Sequence, residues 1–148
     1  MKKRLMALSM AAAVSVGLLA GCGTNSGGAP TPQDGKPYIA VVAKGFQHQF
    51  WQAVKQGAEQ AAKDYNVSIT FEGPETEAQI DKQVDMVNNA LSKSPKAICI
   101  AALDSKALAT SLDMAKSQNI PVIGFDSGVE SDAVVATAAT DNIAASAA

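Results

Sequence analysis

Residues able to carry covalent or metal chemistry are scarce in this 148-residue chain. It has one histidine, one tryptophan and two cysteines, aromatics make up 5% of it, and arginine does not occur after Arg4. One of the cysteines, Cys99, sits inside the apolar run Ala97-Ile98-Cys99-Ile100-Ala101 and reads as a small buried hydrophobe. A lone histidine with such a cysteine makes a poor metal or nucleophile set, so no metal is expected. No GxGxxG or GxxxxGKS/T follows an apolar run, and there is no GxSxG elbow. The chain is therefore expected to be no enzyme and to hold no cofactor. Also missing is an uninterrupted apolar run of the ~20 residues that a membrane-spanning helix needs.

The chain does carry an export signal. Lys2, Lys3 and Arg4 precede the apolar stretch from Leu5 to Ala20, and Leu19-Ala20-Gly21-Cys22 closes it with small residues before a cysteine. That closing sequence resembles the lipobox of bacterial lipoproteins, which implies a signal peptide over 1–21 and lipidation of Cys22. Residues 22–37 then read as a flexible tether, because this Gly-, Pro- and Ser-containing stretch has too little apolar surface to offset the entropy of ordering. Three of the twelve basic residues leave with the signal and all fourteen acidic ones stay, so the net charge falls from −2 to −5. Nucleic acid is excluded as an expected partner.

From Tyr38 onward, apolar runs of strand length alternate with segments of helical period. Tyr38 to Ala43 is continuously apolar, as a strand covered on both faces requires. Phe50 to Tyr65 sets Val54, Ala58, Ala61, Ala62 and Tyr65 on one side, the pattern of an amphipathic helix. Val67 to Phe71 reads as a second strand and Ala97 to Ala102 as a third. Between them a helix is predicted over about Thr76 to Lys93, with Ile80, Val84, Val87 and Leu91 inward and Ser94-Pro95 as its stop. Asp104 is placed to cap a further helix carrying Leu108, Leu112 and Ala115, which Asn119-Ile120-Pro121 closes. Val122 to Phe125 and Ala133 to Thr140 complete the strands. Strict alternation with short links predicts an α/β fold: a doubly wound parallel sheet over residues 38–141.

In such a sheet, ligands bind outside the carboxyl ends of the strands. That rule selects Lys44, His48, Phe50 and Trp51 after the first strand, Asp126 after the fourth, and Thr140 and Asp141 after the fifth. Of the pair Phe50-Trp51, one ring is free to pack against the sheet while the other offers an aromatic face to the C–H side of a sugar ring. Lys44 and His48 fit either a ligand contact or a solvated loop. Asp126 is suited to accept hydrogen bonds from neighbouring hydroxyls, whereas Asp104 reads as a helix cap.

Taken together, the apolar strand followed by Lys44-Gly45-Phe46-Gln47-His48-Gln49-Phe50-Trp51, the alanine-rich helix around Gly57, the run Asn119-Ile120-Pro121-Val122-Ile123-Gly124-Phe125-Asp126 and the step Thr140-Asp141-Asn142 resemble a type I periplasmic binding protein. The resemblance is to the ribose-binding kind, the substrate receptors of sugar ABC importers. It implies ligand contacts from Lys44, His48, Phe50, Trp51 and Asp126, and a first crossing between two lobes at Thr140, Asp141 and Asn142. Ser127 stands where an arginine often follows the binding aspartate, and Lys44 and His48 stand where smaller polar residues are usual. The sugar itself is left open.

The resemblance further implies a monomeric solute receptor that captures a monosaccharide or related polyol by hinge closure and delivers it to ABC permease subunits. Its place is outside the cytoplasm, lipid-anchored to the outer face of the cell membrane or in the periplasm or cell envelope. Residues 142–148 read as the start of a crossover helix into a second lobe not contained in this sequence, so that this stretch by itself is expected to bind weakly or not at all. A receptor of the same fold that feeds a membrane sensor or chemoreceptor fits the same residues, and a flavodoxin-like enzyme shares the alternating pattern.

Overall fold

The computed structural model describes residues 35–147, so the predicted signal segment, Cys22 and the tether up to residue 34 lie outside the described residues. The elements are β1 (Tyr38–Val42), α1 (Gln49–Asp64), β2 (Ser68–Glu72), α2 (Ile80–Ser92), β3 (Ala97–Ile100), α3 (Ala109–Ser117), β4 (Val122–Phe125), β5 (Val134–Ala138) and α4 (Asn142–Ser146). All strand pairings are parallel, and the five strands form one sheet in the order β2-β1-β3-β4-β5.

The alternation of side chains along each strand assigns the two faces. Ala40 and Val42 of β1, Ile98 and Ile100 of β3 and Val122 of β4 turn to one side. There they meet Val87, Ala90 and Leu91 of α2, Leu108 at the N-cap of α3, and Leu112 and Ala115 within it, in the main core. Fully burying such an aliphatic side chain contributes about 1.5–3 kcal/mol, so this cluster is the main source of stability. Ile39, Val41, Ile69 and Cys99 point to the other side, where they line an apolar groove together with Ala58, Ala61 and Ala62 of α1. The sheet is thus covered by helices on both faces. Cys99 is half-buried on the α1 side, and that burial pushes its thiol pKa up.

The ends of the helices follow the chain's own punctuation. Asn66, Ser94 and Asn119 each adopt a positive φ just past α1, α2 and α3. Val67 N–H donates to Ala62 O and Ile120 N–H to Ala115 O, the six-to-one bond that satisfies a carbonyl left over at a helix end.

Three sequence expectations need correction. First, α2 starts at Ile80 rather than near Thr76. Pro74 sits fully buried at the head of the loop, and Thr76 and Gln79 pair with each other in a local turn, with Thr76 N–H donating to Gln79 Oε1 and Gln79 N–H to Thr76 O. Second, helix and strand do not alternate strictly. Residues 126–133 join β4 to β5 without a helix, since eight residues leave no room for one plus its two turns. Val129 and Ala133 of that loop plug the core instead. Third, Tyr65 is not an inward residue of α1; it is the C-cap and is largely exposed.

Candidate functional site

The strand order places a reversal between β1 and β3. From β1 the chain steps through α1 to β2 on one side, and α2 then carries it back past β1 to β3. At such a reversal the loops leaving the two central strands diverge and open a crevice at their carboxyl ends. Lys44 leaves β1 at this edge, and α1 begins at Gln49, so Phe50 and Trp51 stand in its first turn.

Lys44, His48, Phe50, Trp51 and Asp126 all line one open cleft of about 580 Å³, together with Gln49 and Glu77. A second cleft of about 470 Å³ adjoins it and shares Phe50 and Asp126; its other lining includes Phe125, Thr140 and Asn142. Six of the seven ligand contacts proposed from sequence are therefore gathered on one rim. Asp141 lines neither cleft. Its Oδ1 accepts from Ile143 N–H at 3.1 Å and Ala144 N–H at 3.0 Å, so its carboxylate caps α4. Asp104 does not cap α3, whose N-cap is Leu108; its Oδ1 accepts instead from the N–H groups of Lys106 and Ala107 in the turn before that helix.

The two aromatic rings divide their roles. Trp51 is 3% exposed and packs on Ala43 and Ala101 at the ends of β1 and β3, with Phe71, Val54 and Phe125 beside it. Phe50 is 55% exposed. Its ring meets the indole edge-on with centroids 4.8 Å apart, and the indole in turn meets Phe125 edge-on at 6.3 Å. An aromatic row thus runs from under the sheet edge to the cleft wall and ends in a ring that solvent reaches.

The indole is oriented by a residue the sequence reading left on a helix. Trp51 Nε1 donates to Glu77 Oε1 at 3.2 Å, which is possible because the loop before α2 keeps Glu77 out of helical geometry. Gly73-Pro74 was the available signal for that loop. Gly73 itself is required by a close approach, since a Cβ there would stand 2.7 Å from Gly45 O and 2.9 Å from Gly45 C. The loops after β1 and β2 therefore touch backbone to backbone beneath the cleft.

Of the three charged side chains that line the first cleft, Glu77 holds the indole and the other two form a pair, Lys44 Nζ and Asp126 Oδ2, 2.9 Å apart. Asp126 occupies a strained position: its φ is +63°, and Ser127 N–H reaches back across it to Phe125 O in a three-residue turn. A non-glycine residue held in this region at a cleft is the kind of conformation that binding sites retain. The arrangement offers hydroxyl-bearing ligands a carboxylate, an ammonium, an imidazole and an aromatic face. Among the described residues, no three or more His, Cys, Asp or Glu side chains are grouped as metal ligands.

Residues 39–148 match the family described as periplasmic binding protein domain. The D-allose-binding periplasmic protein of Escherichia coli is 29% identical over 112 residues, which cover 71% of this chain and 36% of that protein. A solved solute-binding protein of an ABC transporter from Agrobacterium vitis, with bound D-fucose, is 40% identical, with a TM-score of 0.68 over 73% of this chain and 39% of that one. A Brachyspira murdochii structure described as an ABC transporter, LacI family transcriptional regulator, is 47% identical, with a TM-score of 0.70 over 78% of this chain and 37% of that one. The chain spans about a third of the length of the curated relatives it matches.

Proposed function

Since the chain belongs to the periplasmic binding protein family, we propose that residues 38–141 form the ligand-facing lobe of an exported sugar receptor that serves an ABC importer. The observation that carries this reading is the meeting of Lys44, His48, Phe50, Trp51 and Asp126 around one cleft at the carboxyl edge of the sheet. A carboxylate suits two adjacent sugar hydroxyls, and the exposed Phe50 ring suits the apolar face of the same ring. Relatives named for D-allose and D-fucose support a monosaccharide as ligand. No step in this function breaks a bond; the receptor captures and releases.

The cleft is open to solvent, and an open wall alone gives a ligand few contacts to offset its lost translational freedom. The longer relatives support a second lobe, entered through α4, that closes over the sugar by a hinge and thereby presents the filled receptor to permease subunits. Cys22, lipidated after removal of residues 1–21, would tether the receptor to the membrane through residues 22–37. The protein then works as a monomer on the outer face of the cell membrane or in the periplasm.

The test is titration of the chain with D-allose, D-fucose and D-ribose, followed by backbone amide resonances and by the fluorescence of Trp51, its sole tryptophan. The expected outcome is binding near or weaker than a Kd of about 1 mM, about −4 kcal/mol, with shifts confined to the linings of the two clefts, residues 44–54, 77, 125–127 and 138–142. Shifts lying outside both clefts would refute the sugar reading, and so would the absence of shifts in a chain extended through the second lobe. A micromolar Kd would refute the need for a second lobe.

A further inference from the structure

Gln83 lies at the site's foundation without reaching the ligand cleft. It is the fourth residue of α2, is 1% exposed, and is the largest buried polar side chain among the described residues. Its amide is fully used. Nε2 donates to Ala43 O at 3.0 Å and to Ala101 O at 2.9 Å, and Oε1 accepts from Leu103 N–H at 2.8 Å.

These partners mark the point where β1 and β3 part. The ladder pairs Val42 with Ile100, and its last rung is Ala101 N–H to Val42 O. One residue further on, neither the Ala43 nor the Ala101 carbonyl has a strand partner across the fork, and the Gln83 amide supplies both missing donors. A purely accepting side chain has no N–H bond to share between the two carbonyls, and asparagine, which carries two, is shorter by one methylene. Ala43 and Ala101 are also the residues on which Trp51 packs, and Lys44 follows Ala43 directly. The side chain that holds these two carbonyls thus fixes the ground under the indole and the starting point of the lysine that pairs with Asp126.

We infer that Gln83 is a positioning residue for the candidate site: it holds the fork between β1 and β3 at the spacing from which Lys44 and Trp51 reach the cleft. The inference rests on the sugar-receptor reading only for its effect on binding. The fork geometry stands apart from it.

Two variants of the full chain separate positioning from general support. Gln83→Met keeps length and apolar packing but removes all three bonds. Gln83→Glu keeps an acceptor for Leu103 N–H and leaves at most one donor for the two carbonyls, since burial against them favours the protonated carboxyl. The carbonyl carbon resonances of Ala43 and Ala101 are expected to shift in Gln83→Met, and at least one of them in Gln83→Glu, as carbonyls do when they lose a donor. Leu103 amide exchange is expected to rise at least about tenfold in Gln83→Met and to stay near wild type in Gln83→Glu, while Ile98 and Val122 exchange as before. D-allose and D-ribose titrations, read by Trp51 fluorescence and amide shifts, should weaken at least about tenfold in both variants. Unmoved carbonyl resonances, an equal rise of exchange at Ile98 and Val122, or unchanged sugar affinity in a folded variant would each overturn the inference. If the wild-type chain binds no sugar, the resonances and exchange rates still decide the role of Gln83.

Discussion

Lys44 Nζ and Asp126 Oδ2 stand 2.9 Å apart although β1 and β4, which they follow, are not neighbours in the sheet. The pair reaches over the end of the intervening β3 and closes one side of the cleft. Both side chains remain partly exposed, so the contact contributes at most about 1 kcal/mol to folding and serves mainly to hold two polar groups at the wall of the cleft.

Asp126→Asn tests that division. Asparagine tolerates the positive φ of this position, so the backbone turn survives the change. Stability measured by urea unfolding should fall by less than about 1 kcal/mol. Sugar affinity, measured by amide shifts, should drop about tenfold to a hundredfold, because a charged acceptor is replaced by a neutral one.

Phe50 and Trp51 are adjacent in sequence and should respond oppositely. Trp51→Ala empties a packed site and costs about 3–5 kcal/mol, enough to unfold much of so small a lobe. Phe50→Ala removes an exposed ring and should change stability by no more than about 0.5 kcal/mol. Thermal unfolding separates the two, and Phe50→Ala should still lose sugar-induced shifts at the rim.

Two glycines give a second contrast. A Cβ at Gly73 would press on the Gly45 backbone, which cannot give way as a side chain can, so Gly73→Ala should destabilise by about 1–3 kcal/mol. Gly57 lies inside α1 with nothing within 4 Å of a new Cβ, so Gly57→Ala should stabilise by up to about 1 kcal/mol. Urea midpoints moving in the same direction would contradict this account of the loops beneath the cleft.

Cys99 yields a pH prediction. Burial raises its thiol pKa in the folded chain, so the protonated form is favoured there. Its contribution to stability is complete below the unfolded value of about pH 8.5 and is lost as pH climbs through the higher folded value. In a Cys22→Ser background, Ellman's reagent at pH 8 should react at least about tenfold more slowly with folded than with urea-unfolded protein. Equal rates would show that the thiol is open to solvent.

Much of the fold was legible because it is written in local periods. The apolar runs at 38–43 and 97–102 and the four-three-four spacing of Ile80, Val84, Val87 and Leu91 each declare an element and its inner face within a few residues of chain. The stops at Ser94 and Asn119 are equally local, since a helix ends where the next residue takes a left-handed turn. Even the rim of the site followed, because strand ends in a parallel sheet all point the same way.

Other features depended on distances that no local pattern carries. The order β2-β1-β3-β4-β5 brings Lys44 to Asp126, sends Trp51 inward and leaves Phe50 in the cleft. The loop that frees Glu77 for the indole, and the fork whose two carbonyls Gln83 holds, arise where strands diverge. The sequence by itself determined most of the elements, their faces and the edge where the candidate cleft opens, because these follow from side-chain periodicity. Only the tertiary structure decided which side chains meet at that edge, because contact between residues dozens of positions apart depends on how the strands are ordered and how far their ends spread.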